Sequence, residues 1–236
     1  MGYHYWGYDP TYILVLIGAV ICLIASARVK STFNRYSQYR SMTGMTGAQA
    51  AERILRASGI YDVSVQHVSG SLTDNYNPSQ KTLNLSDSVY GATSVAAIGV
   101  AAHECGHAIQ HQQGYAPLSL RTAIVPFANI GSFLAWPLIL LGLFFTRDTG
   151  SIFIHLGILC FSLAVLFQLV TLPVEFNASR RALQILGEQG ILADSELPYT
   201  RKVLKAAALT YVAGAAASIL QLLRLILLFG GRSRND

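Results

Sequence analysis

Charge is what this sequence has least of. Only 12% of its 236 residues are Asp, Glu, Lys or Arg, about half the share found in water-soluble domains, and the mean hydropathy is +0.41. Such a chain cannot clothe a core in solvated surface on every side, which excludes a freely soluble globule and a disordered segment. Cysteine is scarce as well. Cys22, Cys105 and Cys160 are odd in number and scattered, so a disulfide-stapled secreted fold is excluded. Internal repeats, low-complexity tracts and the glycine period of collagen are missing. The net charge of +5 does not indicate nucleic acid, because the basic residues cluster beside apolar runs. That is the pattern of an integral membrane protein.

Four long apolar runs are present. Residues 12–27 carry no charge, and as helix would measure about 24 Å, short of a bilayer core of about 30 Å. Tyr3, Tyr5, Trp6 and Tyr8 just upstream supply an aromatic belt for the missing length. No Lys or Arg precedes the run and no cleavage site follows it, so a retained anchor is expected rather than a signal peptide. Residues 122–145 and 151–174 read as a transmembrane hairpin around a five-residue turn at 146–150, with Pro126 and Pro137 expected to kink its first limb. Residues 206–229 are the weakest candidate, because Gln221 and Arg224 interrupt them; they either span or lie partly in the interface.

Orientation follows from counting Lys and Arg. Residues 28–121 hold eight and residues 177–205 hold five, while the N-terminal flank holds none and the hairpin turn only Arg147. The N-terminus is therefore expected outside and both basic segments in the cytoplasm. Arg232 and Arg234 speak against a complete fourth crossing. The expected fold is mostly α, one membrane domain over residues 1–236 with three to four transmembrane helices. Its water-facing part, residues 28–121, reads as a small α+β unit. It has a helix over 46–58 closed by Gly59, a strand near 63–68, a polar turn at 72–79, a strand at 82–86 and an alanine-rich helix over 94–113. Residues 175–205 read as a second cytoplasmic segment, helical in character.

The chemistry lies in that last helix, which contains His103-Glu104-Cys105-Gly106-His107. Residues i and i+4 share a helix face, so both imidazoles can converge on one ion. Neutral imidazole is a good zinc ligand, and Glu104 is placed to take a proton from a zinc-activated water. With six His in 236 residues, an H-E-x-x-H match is expected by chance roughly 0.003 times. Gly106 in mid-helix costs about 1 kcal/mol against Ala, which suggests close approach by another element. Cys105 points away from both histidines.

A catalytic zinc needs a third protein ligand. His111 lies on the same face but about 12 Å beyond His103, and Gln113 occupies the position where a metzincin would carry histidine. His67 and His155 read as lone surface or interface residues, and His4 falls on the wrong side. Glu175 follows the third apolar run, with Ala178, Ser179 and Ala182 on the same face. Such a face can bring the acid to an ion; Glu175 can equally mark the water interface or pair with Arg181, and the pattern leaves both open.

The motif at 103–107 after an alanine-rich stretch, the preceding NPSQKTLNLSDSVY and the later LPVEFNASRRAL resemble the YugP-type bacterial membrane zinc metallopeptidases over nearly the whole chain. A more distant likeness is to the HtpX and CAAX-prenyl endopeptidases, which share the order of motif, membrane hairpin and glutamate. The resemblance implies a gluzincin-like cytoplasmic part, Zn2+ held by His103, His107 and Glu175, Glu104 as general base, and a multi-pass protein of the bacterial plasma membrane. The distant group carries an Asp four residues after the glutamate to orient a ligand histidine; here that residue is Ser179. A zinc metalloendopeptidase would act on protein or peptide substrates beside the lipid bilayer, without nucleic acid. Rival readings are a non-catalytic metal-binding scaffold, which would have no use for Glu104, and a metal transporter, for which the spans offer only Arg224 and His155. Arg180, Arg181 and Tyr199 are candidates for the oxyanion donor, and residues 82–86 for a substrate-binding edge strand. Small-residue stretches such as 213–218 could pack within the chain, against membrane-protein partners or in a homo-oligomer.

Overall fold

A computed structural model describes residues 9–145 and 147–230. Tyr3, His4, Tyr5, Trp6, Tyr8, Thr146, Arg232 and Arg234 lie outside the described residues. In chain order the elements are α1 (Tyr12–Tyr36), α2 (Gly47–Ala57), β1 (Ser64–Val68), β2 (Asn75–Asn77), β3 (Thr82–Ser86), α3 (Val95–Gln112), α4 (Ala116–Phe144), α5 (Arg147–Glu188) and α6 (Leu197–Phe229). They form two compact units. One gathers residues 25–122 and 170–211; the other takes the chain up to residue 24, residues 123–169 and everything from residue 212.

The first unit is built as a water-facing domain. Helix α2 starts where Thr46 caps it: Thr46 accepts from Gln49 N, and the Gln49 side chain accepts from Thr46 N in return. Its Ala50, Ala51, Ile54 and Leu55 face inward, as the 3.6-residue period requires. The sheet has the order β1-β3-β2, with β1 parallel and β2 antiparallel to β3. Strand β3 is therefore central, with Leu83 and Leu85 fully buried. This corrects the expectation of a free edge at residues 82–86. The expected polar turn at 72–79 contains β2, which reads as polar because Asn75 and Asn77 flank a single Tyr76. Strands β1 and β2 are the edges. Helix α3 begins at Ser94, whose hydroxyl accepts from Ala97 N. Its alanines and glycines admit other backbones: a Cβ on Gly106 would stand 2.7 Å from Ala178 O.

The second unit consists of helix segments whose large apolar side chains point outward. Leu23, Phe133, Phe144 and Ile152 are exposed, whereas Ala128, Gly131, Ala135 and Gly142 are buried. Backbones touch at those small residues: a Cβ on Gly131 would lie 2.6 Å from Cys160 O, and one on Gly18 3.1 Å from Ala217. Pro126 and Pro137 sit inside α4, and Pro173 inside α5, without ending either helix. Among the described residues four helices, α1, α4, α5 and α6, are long and apolar enough to cross a membrane. The fourth qualifies despite Arg224. That side chain reaches Asp9 at 2.9 Å and lies over the Tyr12 ring, so its charge is matched inside the unit.

Candidate metal centre

Helix α3 presents His103 and His107 one turn apart, with ring centroids 4.8 Å from each other. Glu175, from α5, completes a trio. His103 Nε2 and His107 Nε2 lie 3.2 and 3.5 Å from the same atom, Glu175 Oε2, and the three ligand atoms all fall within 4.8 Å of one another. Zinc held at 2.0–2.1 Å in a tetrahedron separates its ligand atoms by about 3.4 Å, close to the two spacings on Glu175 Oε2, so the trio is a candidate zinc site. The donor set, two imidazoles and one carboxylate, also suits the metal. The Glu175 side chain is only 4% exposed, and a carboxylate so deeply buried calls for a cation. His107 carries the electrical trace of this. Burial works against its charged form, yet hydrogen bonding to Glu175 and the charges of Glu104 and Glu175 outweigh that, and its pKa stands above the usual histidine value.

Each imidazole is held from behind. Ser179 Oγ is 3.1 Å from His103 Nδ1, so the hydroxyl stands behind that imidazole. Gln110 Oε1 is 3.0 Å from His107 Nδ1. Arg181 does not pair with Glu175; it donates to Asn177 and Gln113. The proximity of α3 and α5 depends on the missing side chain of Gly106 and on Ala178 and Ala182, both fully buried. The expectation of a small-residue face around the acid is met.

Glu104 and His107 open, with Glu175, onto a cavity of about 420 Å³, room for a few side chains of an extended peptide. Its far walls come from β2 (Asn75, Tyr76), the adjoining Asp74, and Arg121 and Tyr211. His111 also lines it but is no ligand: its Nδ1 lies 3.0 Å from Tyr76 Oη. The oxyanion candidates need correction. Tyr199 stacks on Tyr36 and meets Tyr39 at a tilt, Arg180 is exposed, and neither they nor Arg181 line the cavity, whereas Arg121 and Tyr211 do. Cys105 is buried against Ala51 O, as its position on α3 predicts. His67 pairs with Asp87, and His155 with Ser151 of its own helix. Sequence reasoning missed Gln110, Arg121 and Tyr211. Gln110 left a signal, an amide on the same helix face as His103 and His107; Arg121, just before an apolar run, and Tyr211, within one, left almost none.

Comparison with known proteins agrees with this chemistry. Residues 11–230 match the model of a family described as "Putative neutral zinc metallopeptidase". The chain is 49% identical over 213 residues to the "Putative membrane protease YugP" of Bacillus subtilis (strain 168), covering 89% of this chain and 93% of that protein. No solved structure matches. With the motif, the His-His-Glu trio and four membrane-length helices in one chain, the protein belongs to the neutral zinc metallopeptidase family.

Proposed function

We propose that this chain is a membrane-anchored zinc endopeptidase in which His103, His107 and Glu175 hold the metal and Glu104 is the general base. The observation that carries the reading is the convergence of both Nε2 atoms on one oxygen of Glu175, at 3.2 and 3.5 Å, beside a cavity that also receives Glu104. Zinc, when bound, supplies Lewis acidity and brings the pKa of water from 15.7 towards 7. The Glu104 carboxylate accepts the proton of the attacking water and delivers it to the leaving amine nitrogen. Only 9% of Glu104 is exposed, so little bulk water competes for that proton. The substrate backbone adds to the open edge of β2, where Asn75 and Tyr76 face the cavity. Arg121 or Tyr211 supplies the donor for the developing oxyanion. The positive-inside distribution of Lys and Arg supports a site on the cytoplasmic side.

Zinc content and casein cleavage of the detergent-purified protein test this. Wild type is expected to hold about one zinc and to cleave. Glu104→Gln keeps the metal and loses activity by a factor of about 10³ or more, and Glu175→Ala loses both. Full zinc and activity in Glu175→Ala would overturn the ligand assignment, and a wild type free of zinc would overturn the reading as a whole.

A further inference from the structure

Gln110 is a polar side chain with no exposed surface at all, and each of its hydrogen-bonding atoms is used. Nε2 donates to Val174 O at 2.8 Å and to Asn177 Oδ1 at 3.0 Å, and Oε1 faces His107 Nδ1 at 3.0 Å. The direction of this chain is forced. Arg181 Nε lies 2.7 Å from Asn177 Oδ1, and a guanidinium can only donate. Asn177 must therefore present its carbonyl oxygen, and a carbonyl is all that Val174 can offer. Both demand the NH2 end of Gln110, which leaves its oxygen for His107. An oxygen there requires a proton on His107 Nδ1, so when the imidazole is neutral, as a metal ligand must be, its lone pair is on Nε2, the atom that faces Glu175 Oε2.

We infer that Gln110 is a positioning residue for the metal centre, fixing the tautomer of His107 and tying it to the backbone carbonyl one residue before Glu175. One amide thereby sets two ligands from two helices against each other. The inference rests on the zinc reading of the trio. Groups behind a ligand histidine commonly alter metal affinity 10- to 100-fold, and a carboxylate is the usual occupant. A neutral amide does something a carboxylate cannot: it accepts from α3 while donating twice to α5.

The test is zinc affinity by chelator competition, the absorption spectrum of the Co(II)-loaded protein and thermal unfolding of the metal-free protein, all on the full chain in detergent. Gln110→Leu removes the acceptor while keeping the volume, and is expected to weaken zinc binding 10- to 100-fold and to change the Co(II) bands. Gln110→Glu restores an oxygen for His107 but sets a carboxylate against Val174 O and Asn177 Oδ1. It is expected to melt below Gln110→Leu and yet to bind zinc within about fivefold of wild type. That crossed order is the signature of positioning. If affinity instead follows melting temperature, or if Gln110→Leu binds zinc within twofold of wild type, the inference is overturned. Should Gln110→Glu fail to fold, Asn177→Ala takes its place. It leaves Gln110 on His107 and is expected to stay within about fivefold; a loss equal to that of Gln110→Leu overturns the inference. A wild type that binds no zinc would instead remove the reading beneath it.

Discussion

The two compact units use the same residue types in opposite directions. In the site-bearing unit Ile54, Leu83, Leu85 and Ile98 are fully buried and capped helices carry polar residues outward. In the other unit Leu23, Phe133 and Phe144 face out, and glycine and alanine make the helix contacts. Water drives the first arrangement. In hydrocarbon that drive is absent, so close backbone packing takes over. Charge follows the same division. The first unit buries Glu104, Glu175 and Glu196, the first two at the centre where a cation is expected and the third accepting from Met42 N and Ala193 N. The second buries Arg224 on Asp9. The lesson is that exposure of a large apolar residue means nothing until the solvent it faces is known.

That contrast can be broken most sharply by removing large side chains from each unit. Ile54→Ala is expected to cost 2–5 kcal/mol, whereas Phe133→Ala, at a position 77% exposed, is expected to stay within about 0.5 kcal/mol; thermal unfolding in detergent measures both. Equal losses would show that the second unit packs like the first. Adding a methyl group is the converse. Gly106→Ala and Gly142→Ala each place a Cβ about 2.6–2.7 Å from a backbone oxygen, and overpacking of this kind costs about 1–3 kcal/mol, partly offset by better helix propensity. Only Gly106→Ala should also lower zinc content, since only its neighbour, Ala178, lies one turn from Glu175.

A smaller effect is expected at the ion pair. Asp9→Asn leaves Arg224 buried and lowers the melting temperature; combining it with Arg224→Met restores most of the loss, because a vacant partner costs more than an absent pair. Additive losses in the double variant would show that the two side chains do not interact. The gentlest probe is pH. His107 titrates above the ordinary histidine value in the metal-free protein. Its pairing with Glu175 therefore stabilises that form at low pH, and this contribution fades as pH rises through the raised pKa. Zinc needs the same nitrogen unprotonated, so zinc affinity should fall about tenfold per pH unit below that pKa and level off above it. Equilibrium dialysis across pH 5–8 reads the slope.

Much of this was legible in the residues. Thr46 and Ser94 announce the two capped helices, and the spacing of His103 and His107 announces the ion. Gly106, costly in a helix, announces the approach of α5. What escaped depends on pairing between distant segments. Asn75–Asn77 becomes a strand only because β3 lies beside it, and with β2 in place β3 loses the free edge expected of it. The helices also outrun their apolar runs: α1 continues to Tyr36 and α6 begins at Leu197, since a helix persists wherever its backbone bonds hold, in lipid or water. Arg224 read as an interruption because its partner, Asp9, lies 215 residues away. Ser179 read as a departure from the distant relatives, yet its hydroxyl does reach His103 Nδ1.

The place of Glu175 in the sequence has a consequence for the birth of the protein. Glu175 stands 72 residues beyond His103, and the intervening chain includes all of α4 and the apolar part of α5. A ribosome adding 5–20 residues per second finishes the motif helix several seconds before it adds the glutamate. By the reading proposed here, a nascent chain carries only two ligands and cannot cut, and the trio closes only after the apolar hairpin has been made. Under that proposal the order of the segments acts as a timer: the trio can close only after α4 and the apolar part of α5 have been synthesised, with α6 still to come.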